Sequence, residues 1–358
     1  MGQSVFPIPV AAGKNKIING DMSIDQRASG AAKTISTGGS YVSCDRWQSI
    51  MPTSVVATMQ QVTDAPSTFG YSEEVSITTG QTITSTSTGT IWQWIEGYNT
   101  QNLAWGTSAA KPVTISFWVK SSLTGNHGFS LNAGTTIWSY CTTYNISSAN
   151  TWQYVSITVP GLTSSAPNIS TNSGAAIAVN FDLAAGSTFQ TTANTWTAGY
   201  YQGVSGMVQV TATTGATHQV TGVQLEAGSV ATPFSTATGT VQGELAACQR
   251  YYRRFTAGGA APYWRIAIGQ NLNTTQSQFV FPLGSSMRAV PSFNASGSFT
   301  LRQGDTSFGT NAPTLQGDGS TQDFVGLVVA MSGGTTGYGC YLRSENNTST
   351  YLEFSAEL

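Results

Sequence analysis

The chain has 358 residues, of which only 8% are charged and 11% are aromatic, and its formal net charge is −2. This near-neutral charge excludes the electrostatic footprint of a nucleic-acid-binding protein, and the aromatic content excludes a disordered chain. No apolar run approaches the roughly 20 residues of a membrane-spanning helix, so we expect no membrane insertion. The length allows two domains, each with its own core.

The first 13 residues contain Pro7 and Pro9 and show no hydrophobic period, which predicts an extended arm. They lack a basic segment followed by an apolar core, so we do not expect a secretory signal. Asn19 and Gly20 together predict a tight turn or a bulge. Residues 41–47 predict a short strand.

A series of segments then alternates apolar and polar residues, which is the period of a half-buried strand. The clearest is residues 113–120, where Val113, Ile115, Phe117 and Val119 share one face. The others are residues 74–78, 91–96, 152–159, 176–183, 207–210 and 220–226. Eight or more strands with Gly, Ser and Asn turns between them predict a two-sheet sandwich of jelly-roll type.

Helical spacing follows in residues 244–255, where Leu245, Cys248, Tyr252 and Phe255 recur at steps of three and four and so share one stripe. This stripe has two open interpretations. It packs against the C-terminal domain, or three copies of it meet on a threefold axis.

Beyond the helix, further strands are predicted at 264–268, 277–282, 298–301, 324–329, 339–342 and 351–358. We therefore predict an all-β protein of two jelly-roll-like β-sandwich domains joined by a short α-helix. Its parts are an arm at 1–13, a jelly roll at 14–236, a linker with the helix at 237–256, and a C-terminal sandwich at 257–358.

Several blocks of the chain resemble virion proteins of tailed bacteriophages, which are described as tail fibres, head fibres or minor structural proteins. The resemblance covers residues 14–255 and is carried by residues 103–121, 149–152, 181–187, 220–234 and 244–252. Residues 281–291 and 354–358 are similar to a C-terminal domain that often follows in such proteins. More weakly, the first domain resembles the carbohydrate-binding jelly rolls of glycan-degrading enzymes, which often open on an Asn-Gly strand.

This resemblance implies a phage appendage, a homotrimer, with a glycan-binding-like fold. The expected function is that of a non-enzymatic virion protein assembled in the host cytoplasm: a tail fibre, a head fibre or a capsid decoration that contacts host surface glycans. Residues 1–13 would dock on other virion proteins of the capsid or tail, and no cofactor is expected. The alternatives are a dedicated receptor-binding protein for host glycan, a polysaccharide depolymerase, and a decoration protein that contacts no host.

Trp92 and Trp94 share a strand face, and Trp105 is close in sequence. Paired indoles are what sugar rings stack on, with Glu96 as a hydrogen-bond partner. The other interpretation is that these tryptophans fill the space between the sheets or a subunit interface.

Evidence for catalysis or for a metal is weak. The two histidines, His127 and His218, lie in no nucleophile motif, and no spacing pairs two carboxylates for glycoside hydrolysis. The resemblance to jelly rolls makes Asp21 and Glu226 weak calcium candidates, since calcium needs six or more oxygens. The four cysteines lie about a hundred residues apart, which predicts reduced thiols and no zinc site.

Overall fold

The computed structural model describes residues 13–257 and 262–358. Contacts divide the chain into two compact units, the first up to Leu245 and the second Ala246–Glu357. This division falls within the segment 237–256 that we predicted as a linker. The predicted docking arm 1–13 lies outside the described residues except for Gly13.

The first unit contains twelve strands. They are β1 (Lys33–Thr34), β2 (Gln48–Ile50), β3 (Val56–Val62), β4 (Ser72–Thr79), β5 (Thr88–Glu96), β6 (Val113–Ser121), β7 (Gly125–Ala133), β8 (Trp138–Ile146), β9 (Gln153–Val159), β10 (Ala175–Ala185), β11 (Trp196–Ala198) and β12 (Thr217–Ala227). Single turns of 3₁₀-helix occupy Gly97–Asn99, Gln101–Leu103, Ser187–Phe189 and Val210–Ala212.

These strands form two six-stranded antiparallel sheets. The order in the first sheet is β1-β3-β4-β12-β6-β9, and in the second sheet β11-β8-β7-β10-β5-β2. Phe117 of the first sheet packs against Phe129 and Phe181 of the second, with ring centroids 6.0 and 4.9 Å apart. The predicted inward face of β6 is confirmed, because Val113, Ile115, Phe117 and Val119 are fully buried.

Buried side-chain amides hold the start of the unit in place. Asn15 accepts from the backbone N–H of Leu225 at 3.1 Å and donates to the carbonyl of Val223 at 3.1 Å. Gln93 bonds both the N–H and the C=O of Ile18, at 2.9 and 2.8 Å. Without these partners the backbone groups of residues 15–24 would be buried and unsatisfied, which costs about 1–3 kcal/mol each.

The predicted turn at Asn19 and Gly20 is confirmed. Asn19 has φ 57°, a left-handed conformation that Asn adopts more readily than most residues. Its side chain donates to the carbonyls of Ile24 and Asp45 at 2.8 and 3.0 Å, and its backbone N–H donates to the Glu244 carboxylate at 2.5 Å. Gly20 lies against the closing strand, where its carbonyl accepts from Val223 N–H at 2.8 Å.

Two predicted strands of this unit are wrong. Residues 41–47 form no strand, because Arg46 has φ 74°, which breaks the extended backbone, and the strand starts only at Gln48. Residues 207–210 belong to a loop over the outer face of the second sheet. There the Met207 side chain occupies the space beside Gly128, where a Cβ would strike it.

The helix is shorter than predicted. Helix α1 spans Val241–Gln249, so of the predicted stripe it contains only Leu245, which is 36% exposed, and Cys248, which is fully buried. Tyr252 and Phe255 lie in strand β13 (Tyr252–Thr256). The predicted stripe therefore does not exist as one helical face, because these β-favouring aromatic residues pair with another strand instead.

The second unit adds nine more strands. They are β14 (Arg265–Asn271), β15 (Gln276–Pro282), β16 (Ser292–Ser296), β17 (Phe299–Gln303), β18 (Thr306–Thr310), β19 (Thr314–Gln316), β20 (Phe324–Ala330), β21 (Gly339–Ser344) and β22 (Tyr351–Ser355), with a 3₁₀ turn at Gly317–Gly319. A three-stranded sheet has the order β13-β22-β16, and a seven-stranded sheet the order β18-β17-β21-β14-β15-β20-β19. Phe281 and Phe354, from the two sheets, stack with ring centroids 5.6 Å apart.

The predicted fold class is thus confirmed: two β-sandwich domains joined by a short α-helix. Among the described residues, no helix has both the length and the apolar character needed to cross a membrane. All four cysteines are buried, and none of them forms a disulfide.

Gly20→Ala should destabilise the first unit by about 2 kcal/mol or more. The added Cβ would overlap the backbone carbonyl of Val223, and moving either backbone segment away would cost packing energy. Chemical unfolding followed by tryptophan fluorescence measures this, because eight of the nine tryptophans precede Leu245. Gly38→Ala is the matched control, as its Cβ would meet no atom within 4 Å. Equal stability of the two variants would contradict this role of Gly20.

Stability should also fall with acidification through a histidine pair in the core. Burial lowers the pKa of His127 and, well below its usual value, that of His218, while Tyr144 Oη lies 2.9 Å from His218 Nε2. Because both histidines are harder to protonate in the folded state than in the unfolded state, their contribution to the free energy of unfolding is complete above about pH 6.5. This contribution is lost as the pH falls. Glu73 acts in the opposite sense, because burial raises its pKa to about 7, so its contribution is lost as the pH rises towards 7.

His127→Gln separates the two effects, since the amide can replace the contact of the ring nitrogen with Leu123 O at 2.9 Å. Between pH 8 and 5 the melting temperature of the wild type should fall more than that of the variant. Parallel curves for the two proteins would show that His127 does not contribute to the acid sensitivity.

Candidate functional site

Trp94 lies at the centre of the candidate site, on the outer face of the second sheet. Ile91 and Ile95 of the same strand are buried in the core, so the period of two turns Trp92 and Trp94 outward. Both indoles are half-buried. Trp94 lines a groove of about 530 Å³ together with Gly134, Thr135, Ile137, residues 168–172, Gly174 and Ala175.

Two loops build the walls of this groove, the β7–β8 turn and the segment before β10. They are joined by backbone bonds from Thr135 N–H to Asn168 O at 3.4 Å and from Thr136 N–H to Pro167 O at 3.2 Å. Only glycine fits at position 134, because φ is +83° and a Cβ would overlap the Pro167 carbonyl. The two loops are therefore fixed relative to each other where they line the groove beside Trp94.

The rim of the groove carries neutral polar groups. Thr135, Asn168, Thr171 and Asn172 are exposed, and their amides and hydroxyls include both donors and acceptors. The Asn172 carboxamide oxygen accepts from Gly174 N–H at 2.8 Å, which fixes its direction. An indole face surrounded by such groups provides an apolar platform with directional hydrogen bonds at its edge.

The other predicted members of the glycan site do not join Trp94 in this groove. Trp92 lies two residues before Trp94 on the same strand face and packs beside Gly39. A Cβ added to Gly39 would lie 3.5 Å from the Trp92 ring. Glu96 is 2% exposed, so its carboxylate is not presented to a ligand.

Trp105 lies in the core and not at the surface that the sugar-platform interpretation requires. It is 6% exposed, its ring centroid lies 5.3 Å from that of Trp196, and its indole N–H donates to Lys111 O at 2.8 Å. Because the core satisfies its polar nitrogen, Trp105 is a packing residue. For this tryptophan the core interpretation holds.

Two buried carboxylates with raised pKa values, Glu73 and Asp182, do not form a catalytic pair. Glu73 is enclosed on the core side of the first sheet, where it accepts from Cys44 N–H at 3.0 Å. Asp182 lies on the outer side of the second sheet, where burial raises its pKa well above the usual value against the opposing effect of the Ser130 and Thr90 hydroxyls. The second sheet separates them, so they do not share one substrate.

The weak calcium candidates have other partners. Glu226 accepts from Thr232 N–H and from the Gln224 amide, each at 2.8 Å, and lies 3.8 Å from Lys14 Nζ. Asp21 accepts from the Ser23 hydroxyl at 3.0 Å. In residues 13–257 and 262–358, no three His, Cys, Asp or Glu side chains are grouped as a metal site.

A second groove, of about 620 Å³, lies on the outer face of the first sheet. Trp118 and Tyr154 line it, with ring centroids 5.6 Å apart, together with Phe69 and Phe234. Its Thr232 hydroxyl already donates to Glu226 at 2.8 Å. With fewer free polar groups, this groove fits a sugar less well than the Trp94 groove does.

No protein-family model and no curated protein match the sequence. Among solved structures, the chain is similar to the enzymatically active domain of tailspike protein 4 of bacteriophage CBA120 (14% identity, TM-score 0.30), with 60% of this chain aligned to 21% of that one. It is also similar to the family 11 carbohydrate-binding module of a cellulosomal cellulase of Clostridium thermocellum (14% identity, TM-score 0.28), covering 55% of this chain and 95% of that one.

A third similar structure is a sugar-binding protein of Bacteroides thetaiotaomicron, whose function is assigned only provisionally (9% identity, TM-score 0.32), with 60% of this chain aligned to 100% of that one. The chain thus spans about a fifth of the tailspike domain and nearly the full length of the two sugar-binding structures. At such scores and identities, these likenesses transfer neither a ligand nor an activity to this chain.

Proposed function

We propose that the first unit binds a glycan in the Trp94 groove, and that the protein is a non-enzymatic, trimeric component of a bacteriophage virion that contacts host surface glycan. The observation that carries the glycan-binding proposal is the half-buried Trp94 indole, set between two rigid loops whose rim carries exposed amides and hydroxyls.

The groove matches a sugar in size and chemistry. A volume of about 530 Å³ lies within the usual range of ligand sites. The apolar face of a pyranose stacks on an indole, while its equatorial hydroxyls point to the side, where Asn168, Thr171 and Asn172 lie. Neutral amides suit an uncharged ligand, because they can donate and accept without the cost of burying a charge.

The same lining supports binding rather than hydrolysis. The residues that form the groove carry amide, hydroxyl and apolar groups, whereas glycoside hydrolysis uses two carboxyl groups about 5–10 Å apart. A non-enzymatic role is therefore part of the proposal.

The virion role is supported by the sequence resemblance over residues 14–255. It is also consistent with the low charge of the chain, since many neutral copies can crowd on one particle without long-range repulsion. Residues 1–13 would attach the protein to the capsid or the tail.

Trp94→Ala should lower affinity for host surface polysaccharide by about five- to thirtyfold, since loss of a stacking aromatic costs of the order of 1–2 kcal/mol. Trp92→Ala is the matched control, because it removes an indole from the same strand face outside the groove. Affinity electrophoresis or calorimetry with purified polysaccharide compares the two folded variants. Equal affinity of Trp94→Ala and wild type would overturn the proposed site.

Deletion of residues 1–13 should leave a folded protein of unchanged oligomeric mass that no longer assembles into phage particles. Immunoblotting of purified virions measures incorporation, with the full-length chain as control. Particles that still carry the shortened protein would contradict the docking role of the arm.

A further inference from the structure

The outer face of the seven-stranded sheet in the second unit is unusually apolar. Ile268 on β14 is 84% exposed, Val280 on β15 is 65% exposed, and Phe324 at the start of β20 is 51% exposed. The outer face of an antiparallel sheet normally carries polar side chains. A contiguous apolar patch on such a face marks an interaction surface.

The strand register places Ile268 and Val280 in one row, whereas Phe324 pairs with Pro282 and lies beside that row. Ile268 pairs with Tyr341, and Gly269 pairs with Phe279, so Ile268 and Val280 are neighbours on adjacent strands. We name Tyr341, Ile268 and Val280 the apolar row. It crosses the three central strands of the sheet and lines a groove of about 430 Å³.

The two sides of this row differ in net charge: three arginines lie with two acidic residues, Asp305 in the β17–β18 turn and Glu345, on one side, and two aspartates lie on the other. Arg302 on β17 pairs across from Tyr341, and the Arg265 guanidinium lies 5.1 Å from the Tyr341 ring. Arg343, in an ion pair with Glu345 at 2.7 Å, lies beside them. On the opposite side, Asp318 follows β19 and Asp323 precedes β20, and both are exposed.

We propose that this face is the surface through which copies of the chain assemble, with the apolar rows directed towards a common axis. Copies related by a rotation axis parallel to the strands place the arginine side of one sheet beside the aspartate side of the next. Such contacts close into a ring. The number of copies, three, rests on the proposed trimer, but the inference does not depend on glycan binding.

The available area is sufficient for such an interface. Seven strands spaced about 4.8 Å apart give a face about 29 Å wide, and strands of this length extend for roughly 20 Å. The planar area is therefore on the order of 600 Å² per copy. A closed ring shares each face between two neighbours, and three copies together cover on the order of 1,800 Å², which is comparable to the roughly 1,600 Å² buried in a standard interface.

The double variant Ile268→Thr/Val280→Thr tests the proposal, since Thr keeps the β-branched shape that suits a strand but removes apolar surface. Sedimentation velocity of the wild-type chain should give the mass of three copies, and the double variant should sediment as a monomer at the same concentration. Val56→Thr is the matched control, because Val56 is 43% exposed on a strand of the first unit. Circular dichroism shows that each variant is folded.

A wild-type trimer that the double variant leaves intact would overturn this interface while leaving the trimer standing. A monomeric wild type would overturn both, and neither result affects the Trp94 experiment. The charge pattern gives an independent check. Arg302→Glu should weaken assembly, and adding Asp318→Arg to the same chain should restore it. Failure to restore would reject the pairing of opposite sides.

Discussion

The first unit depends on hydrogen bonds from buried side-chain amides to the backbone. Residues 15–24 enter the sandwich without forming a regular strand, so their N–H and C=O groups need other partners. Asn15, Asn19 and Gln93, all at most 2% exposed, supply them and tie this segment to the closing strand β12. Glu244 adds a further acceptor in the middle of the segment, for the Asn19 N–H, and also accepts from Thr238 N–H at 3.2 Å. The opening and closing segments of the unit are thereby held together before any ligand binds.

The sequence predicts strands well where one face is buried and the other is exposed to solvent, and poorly where both faces are buried. On β9 the burial alternates as the apolar pattern does, with Tyr154, Ser156 and Thr158 exposed between less exposed neighbours. On β7, by contrast, Gly, Asn, His and Ser alternate with Phe and Leu, yet seven successive residues are buried, because a loop covers the outer face. The sequence analysis predicts no strand there, because the cover that buries these polar positions is not visible in the sequence. The predicted helix is too long for a related reason. Tyr252–Thr256 form a strand because they pair with β22, which lies about a hundred residues further along the chain.

The same limit applies to the candidate site. The period of two correctly turned Trp94 outward, because that inference needs only its own strand. The rim residues Asn168, Thr171 and Asn172 lie more than 70 positions further on, and a Gly at position 134 is what lets their loop approach. Nothing local to them signals a binding site. For Trp105 the sequence left two interpretations open, because its proximity to Trp94 along the chain does not show whether its indole reaches the surface or the core.

A network of neutral amides explains where the groove opens. On the outer face of the second sheet, Asn180 donates to Asn132 at 2.9 Å, and Asn132 donates to the Ser139 hydroxyl at 2.8 Å and to Tyr201 O at 3.0 Å. These bonds fix the covering loop over one side of the sheet without burying a charge, which is the cheaper way to fill a polar interior. Trp94, at the opposite end of the row that contains Asn132, is left half-open. On this side of the sheet, hydrogen bonds between neutral groups therefore close the outer face up to the point where the aromatic platform begins.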